Sequence, residues 1–170
     1  ALDIASPKVK AVIETLVSHR VAITSTLAVT ELPEPTARFQ AALEPETLER
    51  YLARRRQTVG LGLVTFEDSR KEVALERAFV AAGGLLVAGC DPTGDGQVLP
   101  GFGDQRNVEM LVEGGFTPLE AIRIATLNGA QLLGLQASIG SIAVGKQADL
   151  VVLDGNPAQR IQDIRSEEHT

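Results

Sequence analysis

The stretch 85-LLVAGCDPTGDGQVLPGFG-103 decides how the rest of the chain is read. Leu85 to Cys90 is a continuous apolar run without polar alternation, the pattern of a strand covered on both faces in a parallel sheet. It ends abruptly in a carboxylate, Asp91, and a glycine-rich loop follows. In parallel βα architectures the active site forms at the carboxyl ends of the strands, because the loops there diverge freely while the strands fix their starting points. Asp91 stands at such an end. Two other readings compete. Aspartate commonly bonds backbone amides two residues on and so caps a turn. Asp91, Thr93, Asp95 and Gly96 also fall at positions one, three, five and six of a calcium loop. The twelfth position is Phe102 rather than a bidentate glutamate, and a strand rather than a helix leads in, so the calcium reading fails.

Upstream of this stretch, the sequence predicts a helix from about Ser69 to Ala82, closed by Gly83-Gly84. Before it come a helix over Pro45 to Arg56 and a proline-rich loop from Thr30 to Thr36. The β-branched run VAITSTL, Val21 to Leu27, fits a buried parallel strand. Ser6-Pro7 is an N-cap and first-turn pair, and Val9, Val12, Ile13, Leu16 and Val17 recur at helical spacing up to His19. Downstream, Asp104 reads as the cap of a helix over Val108, Met110, Leu111 and Val112, stopped by Gly114-Gly115. Thr117-Pro118-Leu119-Glu120 has the spacing of a capping box and predicts a helix from Pro118 to Thr126. A short helix over Ala130 to Leu133 should follow Asn128. After Gly134 the texture changes, and IGSIAVGKQADLVVLDGNP predicts two antiparallel strands about a turn at Gly145 and Lys146. The helix and strand succession belongs to an α/β parallel sheet or barrel, with the β-rich tail outside it.

With 44% hydrophobic and 22% charged residues, the 170-residue chain has the composition of an ordinary globular domain. A net charge of -6, and no basic cluster longer than Arg54-Arg55-Arg56, argue against nucleic acid or an anionic membrane as partner. The arginine triplet reads as a solvated helix face. One cysteine excludes an intrachain disulfide framework and a multi-cysteine zinc site. The longest apolar runs are too short to span a bilayer. The chain opens at Ala1 and enters a helix by Pro7, which reads as a start in mid-domain and leaves the compartment, cytoplasmic, secreted or periplasmic, open.

Gly89-Cys90-Asp91 after an apolar strand, NVEMLVEGG (Asn107 to Gly115), FTPLEAIRIATLNGAQLLG (Phe116 to Gly134) and IGSIAVGKQADLVVLD (Ile139 to Asp154) together resemble the C-terminal half of the amidohydrolase superfamily, in its imidazolonepropionase and dipeptidase-like branch. The resemblance implies an α/β chain holding strands seven and eight, with their helices, of a (β/α)8 TIM-type barrel over residues 1–134. It also implies part of a small β-sandwich over 135–164. Val21 to Leu27 becomes strand seven and Leu85 to Cys90 strand eight, with strands one to six missing. Family members hold one or two divalent metals, zinc in many, and cleave amide or cyclic amide C–N bonds through metal-activated water. Asp91 matches the aspartate after the eighth strand. The resemblance gives it a place at the metal and the task of moving the water's proton to the leaving nitrogen. The implied partner is a small amide, dipeptide or cyclic amide, and homo-oligomerisation of a whole protein stays open.

The chain lacks the histidines with which that family holds its metal. His19 matches no ligand position and reads as a helix-end surface residue, Cys90 as a small buried filler, and Asp149 and Asp154 as turn residues. Where the family often places a histidine after the eighth strand, Pro100-Gly101-Phe102-Gly103 stands here. The last residues, RSEEHT (165–170), read as the translation of a sequencing-library adapter rather than protein, which makes His169 no ligand. Two functions from different classes follow: a metal-dependent hydrolase whose 170-residue part is inactive alone, or a non-catalytic binding or assembly domain that kept the fold without the metal site.

Overall fold

The computed structural model describes residues 3–30, 37–61, 66–92, 98–99 and 101–166, the side chains of 38 and 66–68 excepted. Helix α1 spans Pro7–Ser18; Ser6, in extended conformation, accepts from the Val9 amide at 3.4 Å with its hydroxyl, as a Ser-Pro start dictates. Strand β1 (Ile23–Ser25) leads into a 3-10 turn, Leu27–Thr30. Helices α2 (Ala37–Ala41), α3 (Pro45–Leu61) and α4 (Phe66–Ala81) precede strand β2, Leu86–Ala88. Helices α5 (Phe102–Glu113), α6 (Pro118–Ala125) and α7 (Leu127–Leu132) follow, and a 3-10 turn, Ile161–Arg165, comes last. No described helix is long and apolar enough to cross a membrane.

β1 and β2 pair in parallel, Ile23 opposite Leu86 and Ser25 opposite Ala88. Both are shorter than the apolar runs predict, because a ladder lasts only while both chains stay extended, and β1 is released into the Leu27–Thr30 turn directly after Ser25. The bonds Ile23 N–H to Leu85 O (3.1 Å) and Gly89 N–H to Ser25 O (2.9 Å) aim alternate residues of the β2 segment at β1. On the other edge, the Leu86 carbonyl accepts from Asn128 Nδ2 at 2.8 Å. The core lies between the sheet and its helices: Leu27, Leu86, Val73, Val108, Leu111, Phe116 and Ile124 form one buried cluster.

The helix ends follow local chemistry. Gly83, at φ 91°, closes α4, and the Gly84 amide donates back to Phe79 at 2.9 Å. The capping box of α6 is present: Thr117 N–H donates to Glu120 Oε2 at 2.7 Å and Glu120 N–H to Thr117 Oγ1 at 3.3 Å. Four expectations need adjusting. α3 runs to Leu61 rather than Arg56, and α7 begins at Leu127 because Thr126 breaks α6 there. Asp104 is not the N-cap of α5 but sits three residues in, where its Oδ2 accepts from Gly101 N–H at 2.9 Å. The arginine triplet is not wholly solvated, since Arg55 is buried. The loop expected over 30–36 lies, apart from Thr30, outside the described residues.

The predicted antiparallel strands do not form. Among the described residues, 139–152 is turn and extended coil, with Ile142 90%, Val144 106% and Val151 70% exposed. A strand exists only against a partner, and the backbone bonds here are a turn bond, Lys146 N–H to Ala143 O at 3.2 Å, and a single bond across the loop, Gln147 N–H to Ser138 O at 2.9 Å, which make no ladder. The Lys146 ammonium cross-braces this segment by donating to the Gln136 carbonyl (2.5 Å), the Ile139 carbonyl (3.2 Å) and Ser141 Oγ (2.7 Å). The final turn is docked by charge: Arg165 forks onto Glu109 of α5, which also accepts from Arg106 at 3.0 Å. An apolar cleft of about 790 Å³ opens between β2, α5 and α6 and the 139–153 segment, walled by Ala88, Val108, Ile122, Ile142, Leu150 and Val151.

Candidate active site

Asp91 follows the carboxyl end of β2 as the sequence predicts, is solvent-exposed, and adopts a left-handed backbone at φ 43°. Non-glycine residues pay roughly 1 kcal/mol there, and aspartate is among the side chains that tolerate it best. The conformation turns the chain off the strand so that Asp91 stands at the sheet's end. No described residue donates a hydrogen bond to its carboxylate; residues 93–97, where a capped turn would lie, are outside the described set.

Behind it, Cys90 is buried with Ala28 and Val98. Burial first, then hydrogen bonding to Asp104 and the charges of Asp104 and Asp91, push its thiol up to about 11, so it is a neutral filler rather than a nucleophile. Gly103 is required at this spot: a Cβ on it would stand 2.2 Å from Val98 Cγ1 and 3.2 Å from Cys90 Cβ. The ring of Phe102 meets Phe39 of α2 edge-on at 5.1 Å, and Phe39 packs on Tyr51 of α3 at 4.8 Å. This aromatic trio ties the chain that follows β1 to the chain that follows β2.

Two polar groups that sequence reasoning missed sit beneath the same end of the sheet. Asn107, fully buried on α5, donates through Nδ2 to the Ser25 carbonyl (3.2 Å) and Ser25 Oγ (3.3 Å), and accepts from Ala28 N–H at 3.2 Å. It thereby fixes the exit of β1. The signal was its place one turn from Met110 and Leu111, a polar residue on an apolar face. Glu76, 3% exposed on α4, lies on the other side of Ser25, and burial, with the charge of Glu72 adding and the Ser25 hydroxyl opposing, pushes its carboxyl up to about 7.

Among the described residues, no three His, Cys, Asp or Glu side chains come together in a way that holds a metal. His19 is exposed at the end of α1, its Nδ1 2.8 Å from the Thr15 carbonyl, and Asp149 and Asp154 are exposed. The residues described therefore do not fit the zinc that the resemblance implies, beyond Asp91 and the Asp104 carboxylate beside Cys90.

Comparison with known proteins places the chain. It is 43% identical over 58 residues to 5'-deoxyadenosine deaminase of Methanobrevibacter smithii, covering 34% of this chain and 13% of that protein. It is 32% identical over 105 residues to ochratoxinase of Aspergillus niger, covering 61% and 22%, and 49% identical over 51 residues to imidazolonepropionase of Sphingopyxis alaskensis, covering 29% and 13%. Among solved structures, a prolidase complexed with N-methylphosphonate-L-proline superimposes with TM-score 0.61 at 26% identity, covering 91% of this chain and 33% of that one. A Xaa-Pro dipeptidase, at 22% identity and TM-score 0.63, covers 92% and 34% and shows the fold alone. The chain thus spans about a third of these solved relatives. The amidohydrolase family pattern itself matches residues 38–169. The chain belongs to the amidohydrolase family.

Proposed function

We propose that the whole protein to which these residues belong hydrolyses a C–N bond in a small amide, dipeptide or cyclic amide, with Asp91 as the group that takes and returns the proton. The observation that carries this reading is the exposed Asp91 at the carboxyl end of a parallel strand, inside a chain matched by the family over residues 38–169. Its relatives include deaminases and an imidazolonepropionase, and such reactions share one need: water must lose a proton as it attacks, and the leaving nitrogen must gain one. A carboxylate that no described residue neutralises or caps is suited to both transfers.

In this reading β1 and β2 are the seventh and eighth strands of a (β/α)8 barrel, and 135–164 belongs to a small β-sandwich beside it. Catalytic zinc normally takes three protein ligands and keeps a position for water. The described residues offer Asp91 and, beside Cys90, the Asp104 carboxylate, short of three ligands, so no metal-dependent step is assigned to them. What they do is local: Gly103 and Cys90 pack the base of the site, and Asn107 holds the exit of β1 beside it.

The test is Asp91→Asn in the whole protein. An amide accepts the same backbone conformation but cannot take the proton, so turnover should fall by about three or more orders of magnitude while the melting temperature stays put. Near-normal hydrolysis by that variant removes Asp91 from the mechanism.

A further inference from the structure

Glu76 has no place in the chemistry assigned to Asp91, yet its surroundings are unusual. It lies in the middle of α4, is 3% exposed, and its Oε2 has no hydrogen-bond partner. A buried carboxylate oxygen without a donor disfavours the charged form of its group. Ser25, the last residue of β1, lies beside it, and its hydroxyl acts on the carboxyl against the effect of burial. Ser25 in turn accepts from Asn107 through both its carbonyl and its hydroxyl, and Asn107 holds the Ala28 amide. Ala28 then packs on Cys90, next to Asp91. A continuous line of contacts thus runs from Glu76 to the base of the candidate site.

Among the described residues, no counter-charge meets Glu76 along this line. β1, β2 and the Leu27–Thr30 turn carry no ionisable side chain. On α1, Lys8, Lys10 and Glu14 are exposed to solvent. On α5, Arg106 and Glu109 pair with each other and with Glu113 and Arg165. On α4 itself the nearby charge is Glu72, one turn earlier, which has the same sign.

We propose that Glu76 is a proton-operated latch on the exit of β1, coupling solution pH to the packing beneath Asp91. Protonated, the side chain is accommodated in the dry seam between α4 and Ser25, and the Ser25–Asn107–Ala28 bonds stay closed. When the proton leaves for solvent, the carboxylate demands more donors than the Ser25 hydroxyl alone supplies, and water must enter beside Ser25. The Asn107 bonds to Ser25 and Ala28 then open more often. The inference stands on the seam and its bonds and does not require the hydrolase reading.

The experiment is amide hydrogen exchange on the full chain between pH 5.5 and 8.5, each rate corrected for its intrinsic pH dependence. Protection of the Ala28 amide should fall by about tenfold or more across this range in the wild type, and stay level in Glu76→Gln. Level protection in the wild type, or the same fall in Glu76→Gln, overturns the latch. Should Glu76→Gln fail to fold, the carboxyl carbon resonance of Glu76 in the wild type decides. A midpoint near neutrality upholds the latch, and one in the ordinary carboxylate range overturns it.

Discussion

Replacing Glu109 by glutamine tests what docks the end of the chain. Glu109 is 1% exposed and lies under two arginines, Arg165 from the final turn and Arg106 one turn earlier on its own helix. A buried hydrogen bond to a charged group contributes about 1.5–3 kcal/mol, but Arg165 is 44% exposed and Arg106 19%, so solvent screens part of that. Glutamine keeps the volume and turns one acceptor into a donor facing a guanidinium. The net loss for the docked turn is therefore about 2 kcal/mol, close to a thirtyfold change in its opening equilibrium. Hydrogen exchange at Asp163, whose amide bonds the Arg160 carbonyl at 3.0 Å, reads that opening directly. Arg165→Gln should give a smaller loss, about 1 kcal/mol, because Glu109 retains Arg106. Exchange at Asp163 unchanged within twofold in Glu109→Gln would refute the clasp. An unchanged rate in Arg165→Gln alone would leave Arg165 outside the fold, as its adapter-like sequence predicts.

Asn107→Ala leaves the Ala28 amide buried without a partner, while the Ser25 carbonyl keeps the Gly89 amide, for a loss of about 1–3 kcal/mol, measured as a lower melting temperature and faster exchange at Ala28. Glu120 accepts from the Thr117 amide and hydroxyl, which hold its carboxyl below the usual range. Its contribution to α6 is thus present above the ordinary glutamate pKa and lost as pH falls through the depressed one. Acidification should fray the first turn of α6 in the wild type and leave Glu120→Gln nearly insensitive, by the exchange of the Ala121 amide.

Helix starts were legible because a cap is a contract between residues three apart: Ser6 with Val9, Thr117 with Glu120. The place of Asp91 beyond β2 was legible for a related reason, an apolar run that stops at a carboxylate, although the strand itself stops at Ala88 rather than Cys90. Strand lengths were not, since β1 ends where its own chain turns away, which no property of Leu27 announces. The burial of Arg55 and Glu76 was equally hidden, and Asn107 left only the signal of a polar residue on an apolar face. Each is an ordinary helix residue until a second element covers it, and what covers Asn107 is the exit of a strand far away in sequence. The contact of Phe39 with Phe102 has the same character: aromatic residues are scarce here, but nothing local pairs them.

The failure of IGSIAVGKQADLVVLD to form strands has an energetic meaning that can be tested. Ile142, Val144, Leu150, Val151 and Val152 are 90%, 106%, 61%, 70% and 54% exposed, and Ile142, Leu150 and Val151 stand on one wall of the apolar cleft whose opposite wall contains Ala88 of β2. Covering such side chains contributes roughly 1.5–3 kcal/mol each when complete, so the strip holds on the order of 5–10 kcal/mol of unrealised burial. That is comparable to the whole stability of an ordinary domain and larger than anything the helix caps add, about 0.3–1.5 kcal/mol apiece. The 170-residue chain by itself should therefore keep its helices by circular dichroism yet self-associate through this strip, with light scattering reporting species larger than a monomer. Val151→Lys with Ile142→Lys, both on the exposed wall, should shift it toward monomer without loss of helicity. A wild-type monomer that unfolds in one cooperative transition, with a denaturant slope appropriate to its full length, would show instead that the strip is ordinary surface and that the strand-like sequence carries no demand for a partner.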